Sequence, residues 1–281
     1  KVPFVDLGLQ FQNLRDEIMC KFEELSIKGS YILNAEVQEF EKNFAEYCGT
    51  RYAIGVGNGS DALSFSLLAL GIGKGDEVIT APNSFIATAW AIANVSAKPV
   101  FVDVRDDYNI NPDQIEAAMT PNTKAIMPVH LLGNAADLSA LRDIANRHNL
   151  FLIEDCCQAH FAEHQGQVVG SVGDIAGLSF GGKHLSAGMG GIVLTNNQSL
   201  WERAILFRDA ALPRKNGPYA GRPYANYFLA PNYKINDMIG ALLLNQLNKV
   251  DGYIENKIRD AKNIIEGLAD IDELTPQKVK P

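Results

Sequence analysis

Tyr52-Ala-Ile-Gly-Val-Gly-Asn-Gly-Ser-Asp-Ala-Leu63 is an apolar run, a glycine-rich bend and the start of an apolar helical pattern. Ser60 ends the bend and is expected to cap the helix through its hydroxyl. The same unit recurs over the next hundred residues. Residues 77–80 lead to a helix from Ser84, 99–102 to a helix over 111–119, and 125–128 to a helix over 137–148. The apolar run 151–154 closes the series. Strands alternating with helices predict an α/β chain with a mostly parallel sheet sandwiched by helices. Ligands of such sheets sit beyond the carboxyl ends of the strands.

Upstream, residues 11–47 read as two helices broken at Lys28-Gly29-Ser30. Downstream, Leu178-Ser-Phe-Gly-Gly-Lys-His-Leu-Ser-Ala-Gly-Met-Gly-Gly191 sets Lys183 in a glycine-rich bend between strand-like runs at 174–180 and 191–195. Residues 209–234 are irregular and rich in Pro, Gly, Tyr and Asn, the composition of a long functional loop. From Asn236 one long helix is expected, with Ile239, Leu243, Leu247, Val250, Ile254 and Ile258 at helical spacing. The final stretch, 270–281, is polar and closes no element.

The chain has 281 residues, 47% of them hydrophobic, enough for one large domain or two smaller ones. A net charge of −8 argues against nucleic acid or an anionic membrane as partner. No apolar run reaches the roughly 18 residues of a membrane span, and the first residues lack a signal-peptide pattern. Four cysteines, Cys20, Cys48, Cys156 and Cys157, make no disulfide framework, so a reducing cytoplasm is the expected compartment.

Four features carry chemistry. The turn around Gly57-Asn-Gly59 places backbone N–H groups at a helix start, where the dipole favours a phosphate. An ordinary strand–helix turn would look similar. Its spacing is not the dinucleotide Gly-x-Gly-x-x-Gly pattern, which turns the reading away from a nicotinamide dehydrogenase and toward a mononucleotide-like or simple phosphate ester. In Phe151-Leu-Ile-Glu-Asp-Cys-Cys-Gln-Ala-His160, Asp155 follows an apolar strand. A carboxylate there can pair with a protonated ring nitrogen, or it can cap a helix. In Asn83-Ser-Phe-Ile-Ala-Thr88, Phe85 can stack on a planar cofactor or fill the core. Lys183, with Ser179 upstream, has the setting of a lysine that forms an imine with an aldehyde cofactor, against the alternative of a charged surface loop. Cys156, Cys157, His160 and His164 make a poor metal site, since adjacent cysteines chelate badly and there is no Cys-x-x-Cys, so no metal is expected.

In chain order these are a phosphate cradle, an aromatic lid, a carboxylate for a ring nitrogen and an imine lysine. The sequence resembles the sugar aminotransferases of the DegT/DnrJ/EryC/StrS type. These are pyridoxal-phosphate enzymes that aminate nucleotide-linked keto-sugars and keto-cyclitols. The resemblance begins at Val2-Pro-Phe-Val-Asp-Leu7 and reaches about Gly267. Its most specific stretches are 57–63, 71–80, 154–160, the Lys183 segment and Pro231-Asn-Tyr-Lys-Ile-Asn236.

The resemblance implies the aspartate-aminotransferase fold and pyridoxal 5'-phosphate as cofactor. It implies a homodimer with shared active sites, and glutamate or glutamine as amino donor. Lys183 would hold the cofactor as an imine and Asp155 its ring nitrogen. Phe85 would stack on the ring, and Gln158 would lie near the ring and its hydroxyl. Gly59, Ser60, Asp61 and Ser179 would hold the phosphate, and Asn232 would reach the phosphate of the partner subunit. Residues 1–235 would form the large cofactor-binding domain, and 236–281 would start a smaller C-terminal domain that looks incomplete. Ser179 and Lys183 enclose three residues where the family usually has four. Two rivals share the fold: a dehydratase with histidine in place of the lysine, for which His184 is the adjacent candidate, and a non-catalytic cofactor-binding regulator.

Overall fold

The computed structural model describes residues 6–214 and 218–278. The opening stretch 2–5 of the resemblance, residues 215–217 of the long loop and the last three residues of the tail lie outside them. Helices α1 (Leu7–Gln12), α2 (Arg15–Lys28) and α3 (Ala35–Cys48) precede the first strand. Gly29 ends α2 with a left-handed φ of 62°, which is why the helical pattern breaks there. The start of α3 is capped from far along the chain: Asp237 accepts from the N–H groups of Asn34 and Val37.

The alternating region forms β1 (Tyr52–Val56), α4 (Gly59–Leu70), β2 (Glu77–Thr80), α5 (Ala87–Asn94) and β3 (Lys98–Phe101). After it come α6 (Ile115–Ala118), β4 (Thr123–Ile126), α7 (Leu138–His148) and β5 (Phe151–Asp155). A small hairpin, β6 (Glu163–His164) with β7 (Gln167–Val168), leads into β8 (Ile175–Ser179), β9 (Gly191–Thr195) and α8 (Gln198–Arg208). Two more helices, α9 (Asp237–Leu247) and α10 (Val250–Gly267), complete the described chain.

The large sheet has the order β1-β9-β8-β5-β4-β2-β3. β8, β5, β4, β2 and β3 are parallel, while β9 runs antiparallel to both of its neighbours. Side chains alternate between two cores. Ala53, Ile79, Ile126 and Leu152 face α3, α7 and α9, with Phe40, Phe44, Leu141 and Leu243. Ile54, Val78, Ala125 and Ile153 face α4 and α5, with Phe65, Leu67 and Ile92. The period of two in a strand puts neighbours on opposite faces, so an unbroken apolar strand is buried on both sides.

Three sequence expectations are corrected. Helix α4 starts at Gly59, and its cap is Asn58, whose side chain accepts from Asp61 N–H; Ser60 lies inside the first turn. Asparagine caps as well as serine does, and the pattern alone did not say which polar residue was outside the helix. The helix after β2 begins at Ala87, not at Ser84. The helix expected from Asn236 is two helices, interrupted at Asn248 and Lys249. The apolar spacing runs across the interruption without a break, so periodicity could not reveal it.

Candidate active site

A cavity of about 690 Å³ lies beyond the carboxyl ends of β1, β5 and β8. Gly59, Ser60, Asp61, Phe85, Asp155, Gln158, Ser179 and Lys183, drawn from four separate stretches of sequence, all line it. Asn232 does not; it is exposed on the segment that bridges to Asp209.

Asp155 is the last residue of β5 and only 3% exposed. No helix starts after it, so the capping alternative falls away. Its Oδ2 accepts from Thr88 Oγ1 at 2.8 Å and its Oδ1 from Cys157 N–H at 3.1 Å. Thr88 Oγ1 in turn accepts from Ser84 Oγ at 2.8 Å. These bonds fix the carboxylate in one orientation at the cavity wall. The neighbouring carboxylate, Glu154, is spent on structure. Burial pushes its carboxyl up, but the His130 ring at 3.0 Å and the N–H groups of Gly170 and Gly173 bring it below the usual range. Strand alternation thus separates a structural carboxylate from one that faces the cavity.

At another part of the wall the start of α4 is pressed against β8. A Cβ on Gly59 would lie 2.4 Å from Ser179 Cβ and 3.0 Å from Cys157 Sγ, so only glycine fits. Asp61 gives its N–H to Asn58 Oδ1, and its carboxylate accepts from Asn58 Nδ2. Burial pushes the Asp61 carboxyl up. Ser60 and Ser179 line the same space, and Ser179 Oγ accepts from Gly181 N–H. Neutral donors beside a helix start suit a phosphate. Phe85 is 69% exposed at the wall, which removes its reading as a core residue.

Lys183 is half-buried and, among the described residues, makes no hydrogen bond or ion pair. The three-residue spacing still brings it and Ser179 to one cavity. His184 is not part of the wall. Its ring lies 5.9 Å from that of His160, and burial together with Lys257 and Lys183 lowers its pKa to about 4.

His160 and His164 have separate partners, the Ser179 carbonyl at 2.7 Å and Ser139 Oγ at 2.9 Å. The one close group of possible metal donors among the described residues is instead His130, Glu154 and Cys156. Its histidine and carboxylate already bond each other.

Burial, with His184 adding to it, holds the His160 pKa down to about 3. The unfolded chain therefore takes up a proton on this residue between about pH 6.5 and 3 that the folded chain refuses. Stability should be fully present above about pH 6.5 and fall by at most about 1.4 kcal/mol per pH unit below it. Thermal melts between pH 7 and 5 should show a shallower decline for His160→Gln than for the parent. An identical slope would remove His160 as the source.

Sequence reasoning missed Thr88, Cys157, Asn58, Trp90, Val129 and Met189, all at or beside this wall. Thr88, Asn58, Cys157 and Met189 had a signal, since each lies in a stretch already singled out for another residue. Trp90 and Val129 become neighbours only through the fold.

The comparisons with known proteins place this fold in the class of pyridoxal-phosphate-dependent aminotransferases. The chain superimposes over its whole length on 74% of a crystal structure described as Streptomyces venezuelae DesV in complex with a ketimine intermediate. The TM-score is 0.94 and the sequence identity 35%. The DegT/DnrJ/EryC1/StrS aminotransferase family model matches residues 12–281, and the chain belongs to that family. A dTDP-3-amino-3,6-dideoxy-alpha-D-galactopyranose transaminase of Aneurinibacillus thermoaerophilus is 42% identical over 89% of this chain and 68% of its own length. A pleiotropic regulatory protein of Geobacillus stearothermophilus is 39% identical over 99% of this chain and 74% of its own length.

Proposed function

We propose that this chain transfers an amino group from glutamate or glutamine to a ketone carbon of a nucleotide-linked sugar or a cyclitol, using pyridoxal 5'-phosphate. The observation that carries the reading is the meeting of Lys183 and Asp155 at one cavity with the phosphate-type donors of Ser60 and Ser179. The residues present fit the cofactor: a carboxylate for the ring nitrogen, an aromatic face, neutral donors for the phosphate and a lysine unpaired among the described residues. When bound, the cofactor supplies an electron sink for the pair left as a proton leaves carbon. Asp155 keeps the ring nitrogen protonated. Lys183 Nζ would take the proton from the nitrogen-bearing carbon of the donor and return it to the carbon on the other side of that nitrogen. Ser60 and Ser179 anchor the phosphate, and Phe85 covers the ring.

The substrate class follows from relatives named as transaminases of dTDP- and UDP-linked sugars. The test is amino transfer from glutamate or glutamine, read as released keto acid, against a panel of dTDP-, UDP- and GDP-linked keto-sugars and scyllo-inosose. Turnover of simple keto acids with none of the panel accepted would overturn the substrate class. The site within the cell we take as cytoplasmic, supported by four unpaired cysteines and by the lack of a membrane-spanning helix among the described residues. The division near residue 235 we keep as the start of a second unit. Most of α10 is exposed, while α9 still packs on α3.

The active unit in this reading is a homodimer in which Asn232 serves the partner's phosphate. Tyr224 is 72% exposed and Leu229 fully so, and Phe85 and Ile86 are exposed near the cavity mouth. A second copy would cover such apolar surface. One hydrogen bond to a charged acceptor contributes about 1.5–3 kcal/mol, so Asn232→Ala should weaken cofactor retention by roughly one to two orders of magnitude. Mixing Asn232→Ala with Lys183→Ala subunits should restore part of the activity, because each mixed dimer has one intact site. No recovery on verified mixing rules out the shared site.

A further inference from the structure

The turn at 131–134, beside the cavity, is held by more hydrogen bonds than a surface turn requires. Leu132 in this turn has φ 56°, a conformation that L residues other than glycine adopt at a cost. Its side chain is 67% exposed, so side-chain packing does not impose the strain. The constraint comes from Asn109, which is 2% exposed. Asn109 Oδ1 accepts from Leu131 N–H at 3.0 Å, and its Nδ2 donates to the Asn134 carbonyl at 3.1 Å. One carboxamide thus clasps both ends of the turn. The C-terminal segment adds a strap: Gln277 Nε2 donates to the carbonyls of Asp107 and Leu131, and Asn134 Nδ2 donates to the Lys278 carbonyl.

The clasped turn presents Leu132 N–H to Gln158 Oε1 at 3.2 Å. A backbone N–H can only donate, so the Gln158 oxygen is committed to Leu132 and its NH₂ group is left as a donor. Gln158 lines the cavity.

We propose that Asn109 is a positioning residue that acts through the left-handed Leu132 to fix Gln158 as a hydrogen-bond donor toward the ionised ring oxygen of the cofactor. The inference rests on the cofactor reading given under Proposed function. A donor to that oxygen stabilises its negative charge. The charge is greatest once the adjacent imine nitrogen has lost its proton, so the donor lowers the pH at which that proton leaves.

The test is a spectrophotometric pH titration of the enzyme reconstituted with pyridoxal phosphate. Gln158→Ala and Asn109→Ala should each raise the midpoint by about one pH unit, the equivalent of one hydrogen bond to a charged acceptor. The double variant should show no further rise, because both changes remove the same donor. A general loss of packing would not produce that non-additivity. An unchanged midpoint in Asn109→Ala, or additive shifts, overturns the proposal. If Asn109→Ala does not fold, Asn109→Ser decides by the same comparison. Its shorter hydroxyl cannot span to both Leu131 N–H and the Asn134 carbonyl, so it breaks the clasp while filling part of the space. A second readout uses the cofactor-free chain. Leu132 N–H should exchange with solvent at least about tenfold faster in Asn109→Ala and in Gln158→Ala than in the parent, since an exposed amide is protected only by its hydrogen bond. Parental exchange rates in these variants overturn the clasp whether or not the cofactor binds. Failure of the parent to form an imine at Lys183 instead overturns the cofactor reading.

Discussion

Lys183→Ala is expected to lose the covalent cofactor and to reduce transamination by roughly four orders of magnitude or more, while the fold persists. The expected loss is large because one side chain holds two roles, attachment of the cofactor and movement of the proton, and general base catalysis alone contributes about 10²–10⁴-fold. The fold should persist because Lys183 makes no hydrogen bond or ion pair among the described residues. Truncating it breaks no network, and the melting temperature should stay within a few degrees of the parent. The assignment is checked by reducing the loaded enzyme with borohydride and finding the mass increment by peptide mapping. The label belongs on the peptide carrying Lys183. A label on Lys234 or Lys257 would sink the assignment. The same experiment bears on the dehydratase alternative, in which the neighbouring histidine would take the place of the lysine. His184 points toward His160 and is absent from the cavity wall, so His184→Ala should leave the imine in place.

Asp155→Ala should still form the imine but turn over slowly and hold the cofactor weakly. The carboxylate is 3% exposed and is fixed by Thr88 and Cys157. Removing one partner of a buried charge pair costs about 3–5 kcal/mol, which corresponds to a loss of roughly two to four orders of magnitude in cofactor affinity. Catalysis should fall by at least as much, since a neutral ring nitrogen is a poor electron sink. Asp155→Asn should fare little better, because a neutral amide does not favour the protonated nitrogen. Thr88→Val is the graded companion. It leaves the carboxylate but removes one of its two fixed hydrogen bonds, and its effect should be intermediate. Equilibrium binding of pyridoxal phosphate and single-turnover rates separate the two consequences. Parental turnover in Asp155→Ala would refute the role.

The sequence by itself determined the class of the fold. Short apolar runs alternating with helical stretches admit few arrangements other than a helix-covered, mostly parallel sheet, because the runs inside the sheet, unlike the edge strand β3, are buried on both faces. It also singled out candidate residues whose type is unusual for their place, and which the fold brings to one cavity: a lysine among glycines, a carboxylate after an apolar strand, and glycines before a helix. Both kinds of signal are local, carried by residues within a few positions of each other.

Only the tertiary structure decided the rest. Whether Asn58 or Ser60 caps α4 depends on which backbone N–H lies in reach of a side-chain oxygen, and composition does not encode that. The interruption at Asn248 keeps the apolar spacing and so leaves no trace in the pattern. The division of labour between Glu154 and Asp155 follows from which face of β5 each one occupies and from what covers that face. Thr88 reaches Asp155 across 67 positions, and Asn109 clasps a turn 22 residues away. Such contacts join segments that meet only when the sheet closes its order, with β5 between β4 and β8. The energy that orients these side chains belongs to pairs of distant residues, and no window of sequence contains both members.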